Sequence, residues 1–176
     1  MSATQRNPFA PPPFEAVFAE QSRFVWRLLI RLGVQARDAA DVCQEVFLVV
    51  HRRLPDFDPS QSAIRTWISG ICLRAASEYR RRDPGRREVL GEQPEPAAST
   101  AGPDANLEAQ RAWEKLARVL DSMDVAKRQV FVLYELEAML MPEIIVILDC
   151  PAQTAYSRLH AARRLVLQAF GGAEEP

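Results

Sequence analysis

The chain has 176 residues, 48% of them hydrophobic and 26% charged, and its formal net charge is -1. That apolar share supports packed cores and excludes wholesale disorder. Near-neutrality excludes a surface that is basic all over but leaves room for local basic patches, which are what nucleic-acid binding needs.

No apolar run approaches the ~20 residues that span a bilayer, so no membrane insertion is expected. The N-terminal "MSATQRNPFAPPP" lacks a charged-then-apolar signal pattern. Residues 1–13 read as a disordered, proline-rich tail, and the expected location is the cytoplasm. Cys43, Cys72 and Cys150 are widely spaced, form no C-x-x-C pair and lie in apolar helical contexts, where each reads as a small buried hydrophobe.

Hydrophobic spacing is helical throughout, and nothing alternates as a strand would. Phe14, Val17, Phe18, Gln21, Phe24, Val25, Leu28 and Leu32 form the stripe of a first helix, with Gly33 placed to stop it. A second helix runs from about Asp38 to Arg53, with Val42, Val46, Val49 and Val50 inward and Pro55 just past its end. A third begins near Ser62, carries Trp67, Ile68, Ile71, Cys72 and Ala75 as its stripe, and ends in "YRRRDPGRR".

Residues 83–104, "DPGRREVLGEQPEPAASTAGPD", have almost no large apolar residue and read as a flexible linker. Beyond it Leu107, Trp113, Leu116, Ala117 and Leu120 recur at helical spacing, and Asp124 is placed to N-cap the next helix. A short helix "MPEIIVIL", a break "DCP" with Pro151 suited to a first helical turn, and a longer helix from Ala152 to about Phe170 complete the chain. The expected fold is all-α. Two small helical domains, residues 14–82 and 105–171, are joined by the linker, and the second contains a helix-turn-helix.

In the last helix Ala155, Leu159, Ala162 and Val166 make one buried stripe. Gln153, Tyr156, Ser157, His160 and Arg164 lie opposite, with Arg158 and Arg163 on the flanks. Gln, Ser and Arg in the first turns of such a helix can pair with base edges, while Thr and Arg hold phosphates. An amphipathic helix with water-facing arginines would show the same pattern.

Arg74, Arg80, Arg81, Arg82, Arg86 and Arg87 crowd the end of the third helix, and Trp67 and Tyr79 share that helix. Guanidinium groups interleaved with rings suit a single strand, since the charges take phosphates and the rings stack on exposed bases. Core packing for Trp67 and a solvated terminus for the arginines are the alternatives. Asp41, Gln44, Glu45, Leu48 and Arg52 share the outward side of the second helix, with Asp38 at its start. Acids so spaced suit a divalent metal or, with no partner constellation in sight, a solvated or docking face. His51 and His160 have no triad partners, and there is no glycine-rich phosphate loop; no enzyme, metal or cofactor is expected.

Together these residues resemble the bacterial sigma factors of the extracytoplasmic-function group. "DAADVCQEVFLVVHRRLPDFDP" followed by "RTWISGICLRAASEYRRR" is similar to that family's region two, and "RQVFVLYELEAMLMPEIIVILDCPAQTAYSRLHAARR" to its region four. The order D-x-x-Q-E-x-F, a Trp opening the following helix, then T-x-x-S-R-L-x-x-A-R carries the resemblance.

The resemblance implies a protein that binds core RNA polymerase, directs it to promoters and helps open the DNA, often under an anti-sigma factor. By that analogy Asp41, Gln44, Glu45 and Leu48 would dock on the polymerase. The segment from Pro59 to Trp67 and the helix after it would take the unpaired −10 strand, through Arg65, Trp67, Arg74, Tyr79, Arg80 and Arg81. Gln153, Thr154, Tyr156, Ser157, Arg158 and His160 would read the −35 element, with Arg163 on phosphate. A linker of roughly 22 residues reaches ~70–80 Å when extended, enough for two separated boxes.

The sequence departs from the family at Arg74, where Asn is frequent, and at Ala138, Met139 and Leu140, where Gly, an apolar residue and a Ser or Thr cap are usual. Ile145 and Val146 replace a small and a polar residue, so a slight opening of the helix pair through overpacking is expected. An apolar partner face and an impaired −35 reader are the other readings of that segment. The competing functions are a duplex-binding regulator acting without polymerase and a polymerase adaptor without promoter reading; a metal-dependent nuclease stands further off.

Overall fold

The computed structural model describes residues 11–82 and 103–171, with the side chains of 103–106 left aside. The disordered-tail reading of residues 1–10, most of the linker reading, and Arg86 and Arg87 lie outside the described residues. Every regular element among those described is a helix.

Helix α1 spans Phe14–Arg31 and α2 spans Ala36–Arg53, followed by a 3-10 turn at Leu54–Asp56; α3 spans Ile64–Arg82. They form a bundle around Val25, Leu28, Leu29, Val46, Val50 and Ile68, all fully buried. Gly33 has φ of 101° and ends α1 in a Schellman motif. Its N–H donates to the Ile30 carbonyl at 3.0 Å, and the Val34 N–H donates to that of Leu29 at 3.0 Å. A side chain at Gly33 would stand 2.9 Å from Arg128 Nη1, so the glycine also admits an arginine from the far half of the chain.

Helix α4 spans Pro103–Ser122, so Pro103 and Asp104 belong to a helix and not to the linker in which the sequence placed them. Proline tolerates a first helical turn because its missing N–H has no partner to lose there. The Asp124 carboxylate accepts from the Lys127 N–H at 2.9 Å and caps α5, Val125–Phe131, as expected. Residues Val132–Leu136 then widen into a π-helical turn, which the helical spacing did not announce.

Helices α6, Met141–Leu148, and α7, Ala152–Gly171, complete the fold. Pro151 precedes α7, and its carbonyl accepts the Ala155 N–H at 3.1 Å. Ile144, Ala155, Leu159 and Ala162 are buried between these helices, whereas Ile145 is half-buried and Val146 is 80% exposed. Val146 therefore stands clear of the helix contact, while Ile145, the residue from which overpacking is expected, packs partly against the core.

Candidate polymerase and nucleic-acid interfaces

Helix α2 turns Val42, Val46 and Val50 into the bundle, and its 3.6-residue period leaves Asp41, Gln44, Glu45, Leu48 and Arg52 on solvent. Asp38, at the start of the same helix, is tied inward and accepts the Tyr79 hydroxyl at 2.6 Å. Gln44 and Leu48 also line an open groove of about 550 Å³ between α1 and α2, walled by Phe14, Phe18, Trp26 and Phe47. Phe18 packs on Phe47 with ring centroids 4.7 Å apart and stays 48% exposed, so the acidic face passes directly into an apolar one. Cys43 lies beneath this groove, and burial pushes its thiol up to about 11. Cys72 is fully buried and its thiol is likewise raised.

The loop before α3 is fixed by Asp58, whose carboxylate accepts from the Ser60 N–H at 2.9 Å, the Ser60 hydroxyl at 2.7 Å and Gln61 Nε2 at 2.9 Å. Those three hydrogen bonds hold the Asp58 carboxyl below its usual value. On α3 the six residues expected to meet a single strand separate. Arg74 and Arg81 are exposed along a groove that Gln129 and Ile147 of the other half help to form. Arg81 pairs with Glu78 on its own helix. Arg80 is half-buried near Gly33.

Trp67 is half-buried against Phe57, ring centroids 5.1 Å apart, in keeping with core packing. Tyr79 is 8% exposed, and its ring offers no free face to a base in this arrangement. Arg65 is engaged from across the molecule. Its Nη2 donates to Glu137 at 3.0 Å, and its guanidinium carbon sits 4.1 Å from the centre of the Phe24 ring.

Asp149 closes α6 in the left-handed region at φ 46°, and this single residue sets the turn between the two helices of the motif. It leaves Gln153, Tyr156, Ser157, His160, Arg163 and Arg164 of α7 on solvent, with Thr154 and Arg158 half-buried at their edge. Arg163 Nε donates to Glu135 at 2.5 Å, and that hydrogen bond raises the guanidinium above its ordinary value. The α7 residues thus share one continuous outer face, which is the geometry that base reading from a major groove requires.

Glu137, which no sequence motif singled out, is the centre of the seam between the halves. Its side chain is fully buried. Oε1 accepts from Arg31 Nη1 at 2.5 Å, and Oε2 accepts from Arg27 Nη2 at 3.2 Å and from Arg65 Nη2 at 3.0 Å. Burial lowers the Arg31 guanidinium, and the Glu137 charge opposes that shift. Beside it Arg128, 4% exposed, donates from Nε to the Arg31 carbonyl at 2.7 Å and from Nη1 to Asp121 at 2.6 Å. A carboxylate at the end of an apolar helix was the one available signal, and it does not name partners so distant in sequence. Among the described residues no His, Cys, Asp and Glu side chains gather in the threes that would hold a metal ion.

A three-helix bundle carrying an acidic face is here joined to a helix-turn-helix, a motif shared by many DNA-binding proteins. Residues 17–85 match the family described as Sigma-70 region 2. The chain is 30% identical over 135 residues to the RNA polymerase sigma factor NccH of Alcaligenes xylosoxydans xylosoxydans, covering 74% of this chain and 72% of that one. It is 28% identical over 147 residues to the ECF RNA polymerase sigma-E factor of Escherichia coli strain K12, covering 78% and 76%.

Its fold is similar to two solved structures. One is CnrH in complex with the cytosolic domain of CnrY, with a TM-score of 0.64 at 24% identity, covering 92% of this chain and 89% of that one. The other is the sigma factor RpoE of Bartonella quintana in complex with the anti-sigma factor NepR, with a TM-score of 0.69 at 17% identity, covering 92% and 98%. The chain belongs to the extracytoplasmic-function sigma factors of RNA polymerase, and it serves transcription initiation as a polymerase-binding subunit.

Proposed function

We propose that the chain divides its work between its two halves, residues 14–82 and 105–171. The first half docks on core polymerase through Asp41, Gln44, Glu45 and Leu48 of α2. It also takes the unpaired −10 strand through the segment from Pro59 to Trp67 and through Arg65, Arg74, Arg80 and Arg81. The second half reads the −35 element through Gln153, Thr154, Tyr156, Ser157, Arg158 and His160, with Arg163 on phosphate. The observation that carries this reading is the pair of outward faces. The acidic-apolar face of α2 and the polar-basic face of α7 are both open to solvent, on opposite halves of the chain.

Strand opening then needs no catalysis by this protein. Tighter binding to the melted than to the paired state suffices, so the chain acts as a binding factor in the cytoplasm alongside the polymerase. Tethering makes the second box contact intramolecular, which lets two weak sites act together. Tyr79 belongs in this scheme as a support for α2 through Asp38. An anti-sigma factor is a further partner, by likeness to RpoE of Bartonella quintana with NepR.

In vitro transcription with core polymerase and a pool of random promoters tests the scheme. Transcripts should start downstream of an enriched two-box sequence. Asp41→Lys with Glu45→Lys should lower core affinity without altering box preference, while Arg158→Ala should relax the upstream box alone. Duplex binding that selects sites without core enzyme would favour a polymerase-independent regulator instead.

A further inference from the structure

Three arginines converge on Glu137: Arg27 and Arg31 from the last turns of α1, and Arg65 from the first turn of α3. One carboxylate neutralises one of these three charges. Two of the buried donors around it, Arg27 Nε and Arg31 Nε, have no hydrogen-bond partner among the described residues. Such a set suits a phosphodiester as well as a carboxylate: both carry one charge on two terminal oxygens, and the tetrahedral phosphate lets several arginines approach from different planes.

Glu137 reaches the cluster from the other half of the chain. That half is held to the first by further bonds along the same seam. Thr66 Oγ1 donates to Glu143 Oε1 at 2.6 Å, and Gln129 Nε2 donates to Ser77 Oγ at 3.1 Å.

We propose that Arg27, Arg31 and Arg65 form a binding site for a phosphate of the promoter strand, and that Glu137 occupies this site in cis while the two halves are closed. Glu137 is then both a stand-in for the phosphate and the latch between the halves. Arg65, assigned above to the −10 strand, is withheld until the helix-turn-helix half swings away. Arg27 and Arg31 extend the same basic surface onto α1. The inference rests on the −10 reading for Arg65 but adds a site and a control that reading does not contain.

The test uses the full chain without polymerase, a fluorophore pair on α2 and α7, and a 12-nucleotide oligo-dT strand as probe. Glu137→Gln keeps the shape and removes the charge. It should lengthen the distance between the halves, raise affinity for the strand about tenfold, and steepen the slope of log affinity against log salt by about 0.7 for the one added phosphate contact. Arg27→Gln with Arg31→Gln, added to Glu137→Gln, should abolish that gain.

Thr66→Val loosens the seam with the carboxylate intact and should give a smaller change in the same direction. It carries the test should Glu137→Gln lose its helical circular dichroism. Unchanged distance and affinity in both variants would overturn the latch. Opening without gain in affinity would overturn the phosphate site. A methylphosphonate oligo-dT strand, which carries no backbone charge, gaining as much affinity from Glu137→Gln would overturn the phosphate assignment. Arg74→Ala and Arg81→Ala probe the −10 reading away from the seam, so that reading and the latch fail separately.

Discussion

Arg31 and Glu137, 106 positions apart in sequence, stand 2.5 Å apart between Nη1 and Oε1 with the carboxylate fully buried. A buried carboxylate is tolerated only when its charge is paired, and stripping away partners leaves it uncompensated. Arg31→Met should therefore lower stability by roughly 1–3 kcal/mol, the cost of leaving a buried acceptor short of a donor. Arg65 is 46% exposed where it meets the same carboxylate, and Arg65→Met should cost below ~1 kcal/mol because water screens that pair. Urea midpoints of the two variants should fall in that order, and the reverse order would contradict the burial argument.

Ala138 and Leu140, where the family pattern has Gly and a hydroxyl cap, differ in what they do to the fold. Ala138 has φ of 53°, a left-handed conformation that costs a residue with a Cβ roughly 1–2 kcal/mol. Because Ala138 is exposed, Ala138→Gly loses no packing and should stabilise the chain by about 1 kcal/mol, net of glycine's added unfolded-state entropy. At Leu140 half a capping box survives. The Glu143 carboxylate reaches back to the Leu140 N–H at 3.1 Å, but the Leu140 side chain has no oxygen to offer. Leu140→Thr completes the box and should add about 1 kcal/mol. Thermal or urea unfolding of both variants, singly and together, checks the two increments.

The helices and the two outer faces were legible in the sequence because periodicity fixes both. Val42, Val46 and Val50 inward on α2 compel Asp41, Glu45 and Leu48 outward, and Ala155, Leu159 and Ala162 do the same for the α7 face. What periodicity does not carry is the pairing of distant side chains. Arg27, Arg31 and Arg65 read as ordinary helix-surface arginines until the fold brings Glu137 among them. Tyr79 sits in an arginine-rich turn that looks like a stacking platform, yet its hydroxyl finds Asp38, 41 positions earlier, and its ring goes inward with it. The π-helical turn at Val132–Leu136 is not legible because Val130, Phe131, Val132 and Leu133 are all buried, and an unbroken apolar run shows no period from which a wider turn could be read.

Asp124 gives α5 a pH-dependent anchor. Its carboxylate accepts from the Lys127 N–H and from Lys127 Nζ, and the side-chain hydrogen bond to Lys127 leads the causes that lower it from the ordinary value of 3.8. A carboxyl lowered by folding contributes stability that is fully present above its unfolded value and is lost as pH falls through the folded value. Asp124→Asn keeps a capping acceptor but does not titrate. The stability difference between wild type and Asp124→Asn should be constant from neutral pH down to about 4 and shrink below it. Asp124→Ala should instead cost about 1 kcal/mol at pH 7. Denaturant titrations across that pH range read both effects.

Arg163 and Gln153 share the outer face of α7 but are assigned different work, and salt separates the two. A phosphate contact releases condensed counterions whatever the sequence, so Arg163→Ala should weaken binding to all upstream boxes alike. It should also flatten the slope of log affinity against log salt by about 0.9. Gln153, in the first turn of the helix, is the proposed reader of base edges, so Gln153→Ala should leave the salt slope unchanged and cost about 1–3 kcal/mol at one base pair only. Arg163 is held by Glu135 at 2.5 Å in the free protein, and DNA must displace that carboxylate. Glu135→Gln should therefore strengthen binding while retaining sequence preference. Fluorescence anisotropy of holoenzyme on labelled upstream-box duplexes, with single base changes and a salt series, reads all three variants. A flattened slope in Gln153→Ala with full preference intact would exchange the two assignments.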